Sequence, residues 1–240
     1  MDTIALRATG TGLDVPTWEI TEIVGRLPNS SNATLLARTA GSGLVVYKPE
    51  RGEQPLWDFA HGTLAAREVL TYEVSEAAGF DLVPETVLID GPFGRGSAQR
   101  FIEEDLEFDP VEMINSGDDA LWPVAVLDLL INNADRKAGH VIAEVGTGDL
   151  YCIDHGVSFH DEPKLRTVLW AFSERLLPES ILTAVASVQQ ALTDGLHARI
   201  ATLLTEVEAD ATAERAAALL EIPVHPLPPT DRPPMPWPVW

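Results

Sequence analysis

Two carboxylates carry the most chemistry in this chain. Asp135 lies in Asn132-Asn133-Ala134-Asp135-Arg136-Lys137-Ala138-Gly139-His140, directly after an apolar run from Leu121 to Ile131. Asp154 comes 19 positions later, behind Tyr151-Cys152-Ile153 and just before His155-Gly156. The first run has helix character and the triplet has strand character, so an apolar element delivers each acid into a polar loop. Phosphoryl transfer needs such a pair. One acid orients or deprotonates an attacking hydroxyl, and another holds the divalent ion that bridges the phosphates of a nucleotide.

Two further groups fit the same chemistry. Lys48 ends the apolar strand Leu44-Val45-Val46-Tyr47 and so projects from a sheet toward whatever the sheet covers. Twenty residues on, Glu68 sits in a helix read over 62–78, with Leu64, Val69, Leu70, Val74, Ala77 and Ala78 at near-helical spacing and Gly79 as the stop. A lysine between nucleotide phosphates and a helix carboxylate is a recurring part of such sites. Glu73 on the same helix competes for the role.

Taken in order, Val45-Val46-Tyr47-Lys48-Pro49, Arg67-Glu68-Val69-Leu70-Thr71-Tyr72, Val83-Pro84-Glu85-Thr86, Val126 to Arg136 and Ile153-Asp154-His155-Gly156-Val157-Ser158-Phe159 resemble the motifs of the phosphatidylinositol 3/4-kinase-like superfamily. The likeness runs from about Glu19 to Phe159 and is nearest to the small single-domain members from actinobacteria. It implies an α+β, two-lobed kinase-like fold with an N-terminal antiparallel sheet plus one helix and a mainly helical C-terminal lobe. The corresponding units are a nucleotide-binding lobe over 1–102, a catalytic and helical lobe over 103–222 and a Pro-rich extended tail over 223–240. ATP and a magnesium or manganese ion are the implied cofactors.

Carried onto this chain, the resemblance makes Asp135 the residue that orients or deprotonates the acceptor hydroxyl, and Asp154 the metal ligand. Glu68, at the Arg-Glu-Val position, becomes the partner of Lys48. Lys137 could neutralise the transferring phosphoryl group. Arg136 has two readings: contact with substrate, or locking of the loop by pairing with a carboxylate such as Asp128. Ser30 and Ser31, in the turn Pro28-Asn29-Ser30-Ser31-Asn32, stand where a phosphate-covering loop belongs, and an ordinary hairpin turn is the alternative. Gln99, Phe101 and Glu103 fall in the hinge expected to hold the adenine edge.

His140 departs from the pattern, which usually has asparagine five residues after the aspartate as a second oxygen ligand. Imidazole suits manganese or zinc better than magnesium. Three readings follow: His140 is a ligand with altered preference, Asn132 or Asn133 supplies the missing amide, or the site binds nucleotide with feeble turnover. Zinc held near Cys152, His155 and His160 lacks any paired Cys-x-x-Cys spacing.

Composition narrows the partners. The chain has 240 residues, 45% hydrophobic content, 16 Lys+Arg against 37 Asp+Glu and a formal charge of −21. From Phe101 to Asp135 there is no basic residue. Nucleic acid and anionic membranes both require clustered cations, so neither is an expected partner. Met1 to Arg7 shows no secretion signal, and the single Cys152 fits a reducing, cytoplasmic setting as a buried strand thiol. The acceptor is then a hydroxyl of a small soluble molecule or of a protein, the alternative being a nucleotide-binding pseudokinase that serves as a switch or scaffold.

Elsewhere, Trp18 to Val24, Thr34 to Arg38 and Leu44 to Tyr47 read as an antiparallel meander, and Asp90 to Gly96 as a hairpin turn between strands over 83–89 and 98–102. Helices are expected over 110–113, 119–131, 180–208 and 212–221. Ile181, Val185, Val188 and Leu192 form a core-facing stripe. Eight prolines between Pro223 and Trp240 rule out a helix there. Trp237 and Trp240 would dock on the domain or on a protein partner.

Overall fold

The computed structural model describes residues 18–27, 32–41 and 43–240. Met1 to Arg7, read for a leader, and Ser30 and Ser31 of the phosphate-covering turn lie outside the described residues.

Five strands form one antiparallel sheet in the order β1-β2-β3-β5-β4: β1 Ile20–Arg26, β2 Leu35–Thr39, β3 Gly43–Pro49, β4 Thr86–Gly91 and β5 Gly94–Arg100. The meander and the hairpin appear as expected, and Gly91 pairs with Gly94 across the turn. In β3 the period-2 alternation puts Val45 and Tyr47 into a small core with Ala37 and Ala98. Val46 and Lys48 take the other face, which forms the roof of a cleft.

Helix α1, Leu64–Ala78, stops at Gly79, whose φ of 67° in the left-handed region suits glycine. Its N-terminus is capped from a distance. The Glu53 carboxylate accepts N–H bonds from Gly62 and Ala65 at 2.9 and 3.3 Å. Leu70, Val74 and Ala78 of α1 join the large helical core.

That core is built around α3, Trp122–Ile131, which follows α2, Pro110–Ser116. Nearly every residue of α3 is buried, the signature of a helix that is apolar all round. Asn132, in the left-handed region at φ 52°, ends it and turns the chain into the Asp135 loop. The hairpin of β6, Val141–Ala143, and β7, Leu150–Cys152, then leads to Asp154. Cys152 is fully buried, and burial pushes its thiol up to about 12, so it has almost no nucleophilic thiolate at neutral pH.

The expected helix over 180–208 is a broken one. It comprises α4, Glu179–Ala191, a π-turn over Leu192–Leu196 with Gly195 at φ 132°, and α5, His197–Leu203. Helix α6 already begins at Glu206 and runs to Glu221. At the break, Thr205 caps the N-terminus of α6. Thr205 Oγ1 accepts from the Glu208 N–H at 3.2 Å and donates to the Glu208 carboxylate at 2.8 Å. The stripe on α4 is as expected, with Ile181, Val185, Val188 and Leu192 all buried. Thr205→Ala is expected to cost about 1 kcal/mol. Urea denaturation that shows no loss would remove the capping role.

The Pro-rich stretch from Pro223 onward lies along the domain without helix. Its Pro234 carbonyl accepts from Thr167 N–H and Trp170 Nε1, and its Val239 carbonyl accepts from Ala138 N–H. The Trp240 ring lies beside Gly139, while Trp237 is exposed. Among the described residues, no helix is long and apolar enough to cross a membrane.

Candidate active site

Sheet, α1 and the two polar loops meet at a cavity of about 330 Å³ lined by Lys48, Glu68, Gln99, Phe101, Asp135, His140 and Asp154. Strand β3 aims Lys48 downward, and α1 meets it with Glu68 at 2.5 Å. Asp154 closes the triangle at 3.0 Å from the same ammonium. Glu68 is almost wholly buried, whereas the Asp154 side chain is 53% exposed and faces the cavity. Burial works against the Lys48 charge, but Asp154 and then Glu68 outweigh it and hold the ammonium above its usual range. Lys48 in turn, against the effect of burial, holds the Asp154 carboxyl well below the usual carboxylate range. Glu73 plays no part here, since it pairs with Arg199 at 3.0 Å on the surface.

Backbone geometry fixes Asp154. It has φ 62°, a conformation uncommon outside glycine and found where surrounding contacts impose it. Next to it, the His155 N–H donates to Glu68 at 2.9 Å. A Cβ on Gly156 would come within 3.3 Å of Leu64 and 3.7 Å of the Glu68 carboxylate, so glycine lets the loop approach α1. Arg67 donates to the Ser158 carbonyl and pairs with Glu208 at 2.7 Å, which ties α1, this loop and α6 together.

The Asp135 loop alternates. Asp135 and Lys137 leave on one side and pair at 3.1 Å; Arg136 leaves on the other and is fully buried. Burial raises the Asp135 carboxyl above its ordinary value, with Lys137 opposing. Arg136 forks onto Asp128 at 2.9 to 3.1 Å and donates to the Ile153 carbonyl at 3.2 Å. The pairing with Asp128 is thus present, and it locks the Asp135 loop to the strand that precedes Asp154, with the guanidinium directed away from the cavity.

Asn133 corrects the sequence reading as well. It is fully buried, donates to Asp128 at 2.9 Å and accepts the Asp135 N–H at 3.0 Å, so neither end of its amide reaches the cleft. Asn132 is engaged likewise, donating to the carbonyls of His160 and Glu162 and accepting the Lys164 N–H. Neither asparagine replaces the missing amide ligand. His140 does face Asp154, with Nε2 3.4 Å from the carboxylate. Its Nδ1 accepts the Lys137 N–H at 3.5 Å, which leaves the ring proton on Nε2 directed at Asp154. Burial lowers His140 to about 4, so the ring is neutral at physiological pH. In this tautomer the ring faces Asp154 with its proton, whereas ligation would need a bare Nε2.

At the hinge, the Glu103 carbonyl accepts from Val145 N–H and the Asp105 N–H donates to Ala143, both at 2.8 Å. Residues 103 and 105 thus turn their backbone away from the cleft, and by the period of two Ile102 and Glu104 turn theirs toward it. Both line the cavity and Glu103 does not. Gln99 lines it with its amide held by Thr86 at 2.9 Å. Among the described residues the group of three His, Cys, Asp or Glu side chains with ligand atoms within 4.8 Å of one another is His197, Glu206 and Asp210 on α5 and α6, so Cys152, His155 and His160 form no such group.

A five-stranded sheet with one helix above a mainly helical part, with these residues between them, defines a kinase-like fold. Solved structures agree. The chain is similar to the Golgi casein kinase with Mn/ADP bound (13% identity, TM-score 0.57, 85% of this chain and 72% of that one). It is also similar to the Helicobacter pylori proinflammatory kinase CtkA (12% identity, TM-score 0.56, 85% and 92%). The chain belongs to the family of Protein Rv2133c of Mycobacterium tuberculosis, to which it is 37% identical over 257 residues, covering 91% of each. No protein-family profile matches it.

Proposed function

We propose that this protein is an ATP- and metal-dependent phosphotransferase of the phosphatidylinositol 3/4-kinase-like kind, acting on a hydroxyl of a small soluble molecule or of a protein. One observation carries the reading: Lys48, Glu68 and Asp154 converge within 3.0 Å of one ammonium while Asp135 lines the same cavity. Lys48 would pair with nucleotide phosphates, with Glu68 fixing its position. Asp135 would accept the hydrogen bond of the acceptor hydroxyl, and Lys137 beside it would balance charge on that side. Ile102 and Glu104 offer backbone groups to a base. In this reading residues 1–102 bind nucleotide, 103–222 carry catalysis, and the tail over 223–240 braces the catalytic loop.

The exposed carboxylate of Asp154 and the half-buried one of Asp135 offer oxygens that suit a hard cation, magnesium or manganese. Such an ion, when bound, supplies charge neutralisation at the distal phosphates. Asp154 would hold it, with His140 orienting the carboxylate. The low count of cations and the absence of a basic run support a soluble acceptor over a membrane or nucleic acid, and the buried lone cysteine suits the cytoplasm.

The direct test is thermal. ATP with magnesium or manganese at 100 times its dissociation constant is expected to stabilise the fold by roughly 2.7 kcal/mol. No rise in melting temperature, together with no heat of binding in calorimetry, would refute the nucleotide site. Labelled ATP offered with a pool of soluble metabolites then identifies the acceptor; binding without transfer to any acceptor would establish the pseudokinase.

A further inference from the structure

A second cavity, of about 580 Å³, lies behind the catalytic loop between α6 and the C-terminal tail. It shares no lining residue with the nucleotide cleft. Its walls are aliphatic, from Leu129, Leu219, Ile222 and Leu227 among others, with the Trp170 ring at one side. Ile222 and Leu227 are 66% and 61% exposed, so an apolar surface of ligand-pocket size is left without cover among the described residues.

Two arginines, Arg215 and Arg232, are among the polar groups of this cavity, and Arg232 and His225 are incompletely partnered. Arg215 donates to the carbonyls of Leu130 and His160 and to Thr212 Oγ1, but forms no ion pair with any described carboxylate. Burial pushes its guanidinium down to about 10, with Glu214, Glu208 and Asp161 only partly offsetting that. Among the described residues, Arg232 pairs with its neighbour Asp231 at 3.3 Å, and its buried Nε has no hydrogen-bond partner. His225 is fully buried; its Nδ1 lies 3.1 Å from the Pro226 carbonyl, and its Nε2 has no partner. The one acid at the rim, Glu174, is exposed to solvent. Buried polar nitrogens without partners are rare, because each loses its hydration without compensation. A carboxylate would satisfy the arginine side of this cavity, and an alkyl chain would cover its aliphatic side.

We infer that this cavity is a binding site for a medium-chain alkyl carboxylate, with the head group at Arg232 and Arg215 and the chain along Leu219, Ile222 and Leu227. The site stands apart from the nucleotide cleft, and its existence does not depend on the reaction proposed there. It is nevertheless joined to that cleft. Asn132, at the start of the Asp135 loop, forms part of its wall, and the tail that closes it continues to the bond between Val239 and Ala138.

Calorimetric titration of the full chain with decanoate, kept below its micelle concentration, is the test. Saturable one-site binding is expected, at least tenfold tighter than for decanol. Arg232→Gln should weaken it tenfold or more. Ala218→Phe, which fills the cavity from an exposed position on α6, should abolish it with the melting temperature unchanged. Absence of saturable binding to the unmodified chain, unchanged affinity in either variant, or equal affinity for decanol overturns the assignment. Should Ala218→Phe fail to fold, Arg232→Gln and the decanol comparison decide alone.

Discussion

Asp128→Ala is expected to destabilise the protein by 3–5 kcal/mol, although Asp128 lines no cleft and touches no candidate substrate position. Its carboxylate is fully buried and takes Arg136 through Nε and Nη2, Asn133 through Nδ2 at 2.9 Å and Thr167 through Oγ1 at 3.1 Å. Removing it leaves a guanidinium in the core with no counter-charge, a larger penalty than any single lost contact. Against a total stability of roughly 5–15 kcal/mol, a variant of this kind stands near the edge of folding. The paired change Asp128→Leu with Arg136→Met should cost much less than the sum of the two single changes, because it removes both charges together. Chemical denaturation of the unmodified protein, Asp128→Ala, Asp128→Leu, Arg136→Met and the double variant measures this. A loss below 1 kcal/mol for Asp128→Ala would show that Arg136 finds another partner and that the loop is not locked as described.

This buried pair shows how far the sequence could be read. Lys48 was legible because the period of two can be counted along β3, whereas Glu68 over Glu73, and Asp154 as ligand, came from the resemblance of Arg67-Glu68-Val69 and Ile153-Asp154-His155-Gly156 to kinase-like motifs. Arg136 and Asn133 were harder, since nearness to Asp135 in the chain says nothing about which side of an irregular loop a residue leaves. The alternation that sends Asp135 and Lys137 outward and Arg136 inward, and the one that turns Glu104 rather than Glu103 to the cleft, are extended-backbone rules acting outside regular strands. The break at Thr205 did have a signal, Thr-x-x-Glu, hidden inside an apolar stripe that reads as one helix. Glu53 capping α1 and Val239 bonding Ala138 had none. The first acts across a loop of nine to twelve residues and the second between opposite ends of the C-terminal half, and each uses a backbone group, which leaves no trace in residue type.

Asp135→Asn and Asp154→Ala are expected to separate binding from transfer. Asparagine at 135 keeps the size and an acceptor oxygen but loses the charge that would orient and take the acceptor proton. Transfer should therefore fall by 10²–10⁴, the range for loss of a general base, while the thermal shift given by ATP and metal stays near that of the unmodified protein. Asp154→Ala acts elsewhere. It removes the carboxylate 3.0 Å from Lys48 and the group that faces His140 at 3.4 Å, and with them the proposed hold on the ion. Both the nucleotide-induced shift and transfer should be lost. Transfer that survives Asp135→Asn would take the hydroxyl-orienting role from Asp135 and leave the nucleotide site intact. An ATP-dependent shift that survives Asp154→Ala, with metal still required, would instead place the ion on other oxygens of the cavity.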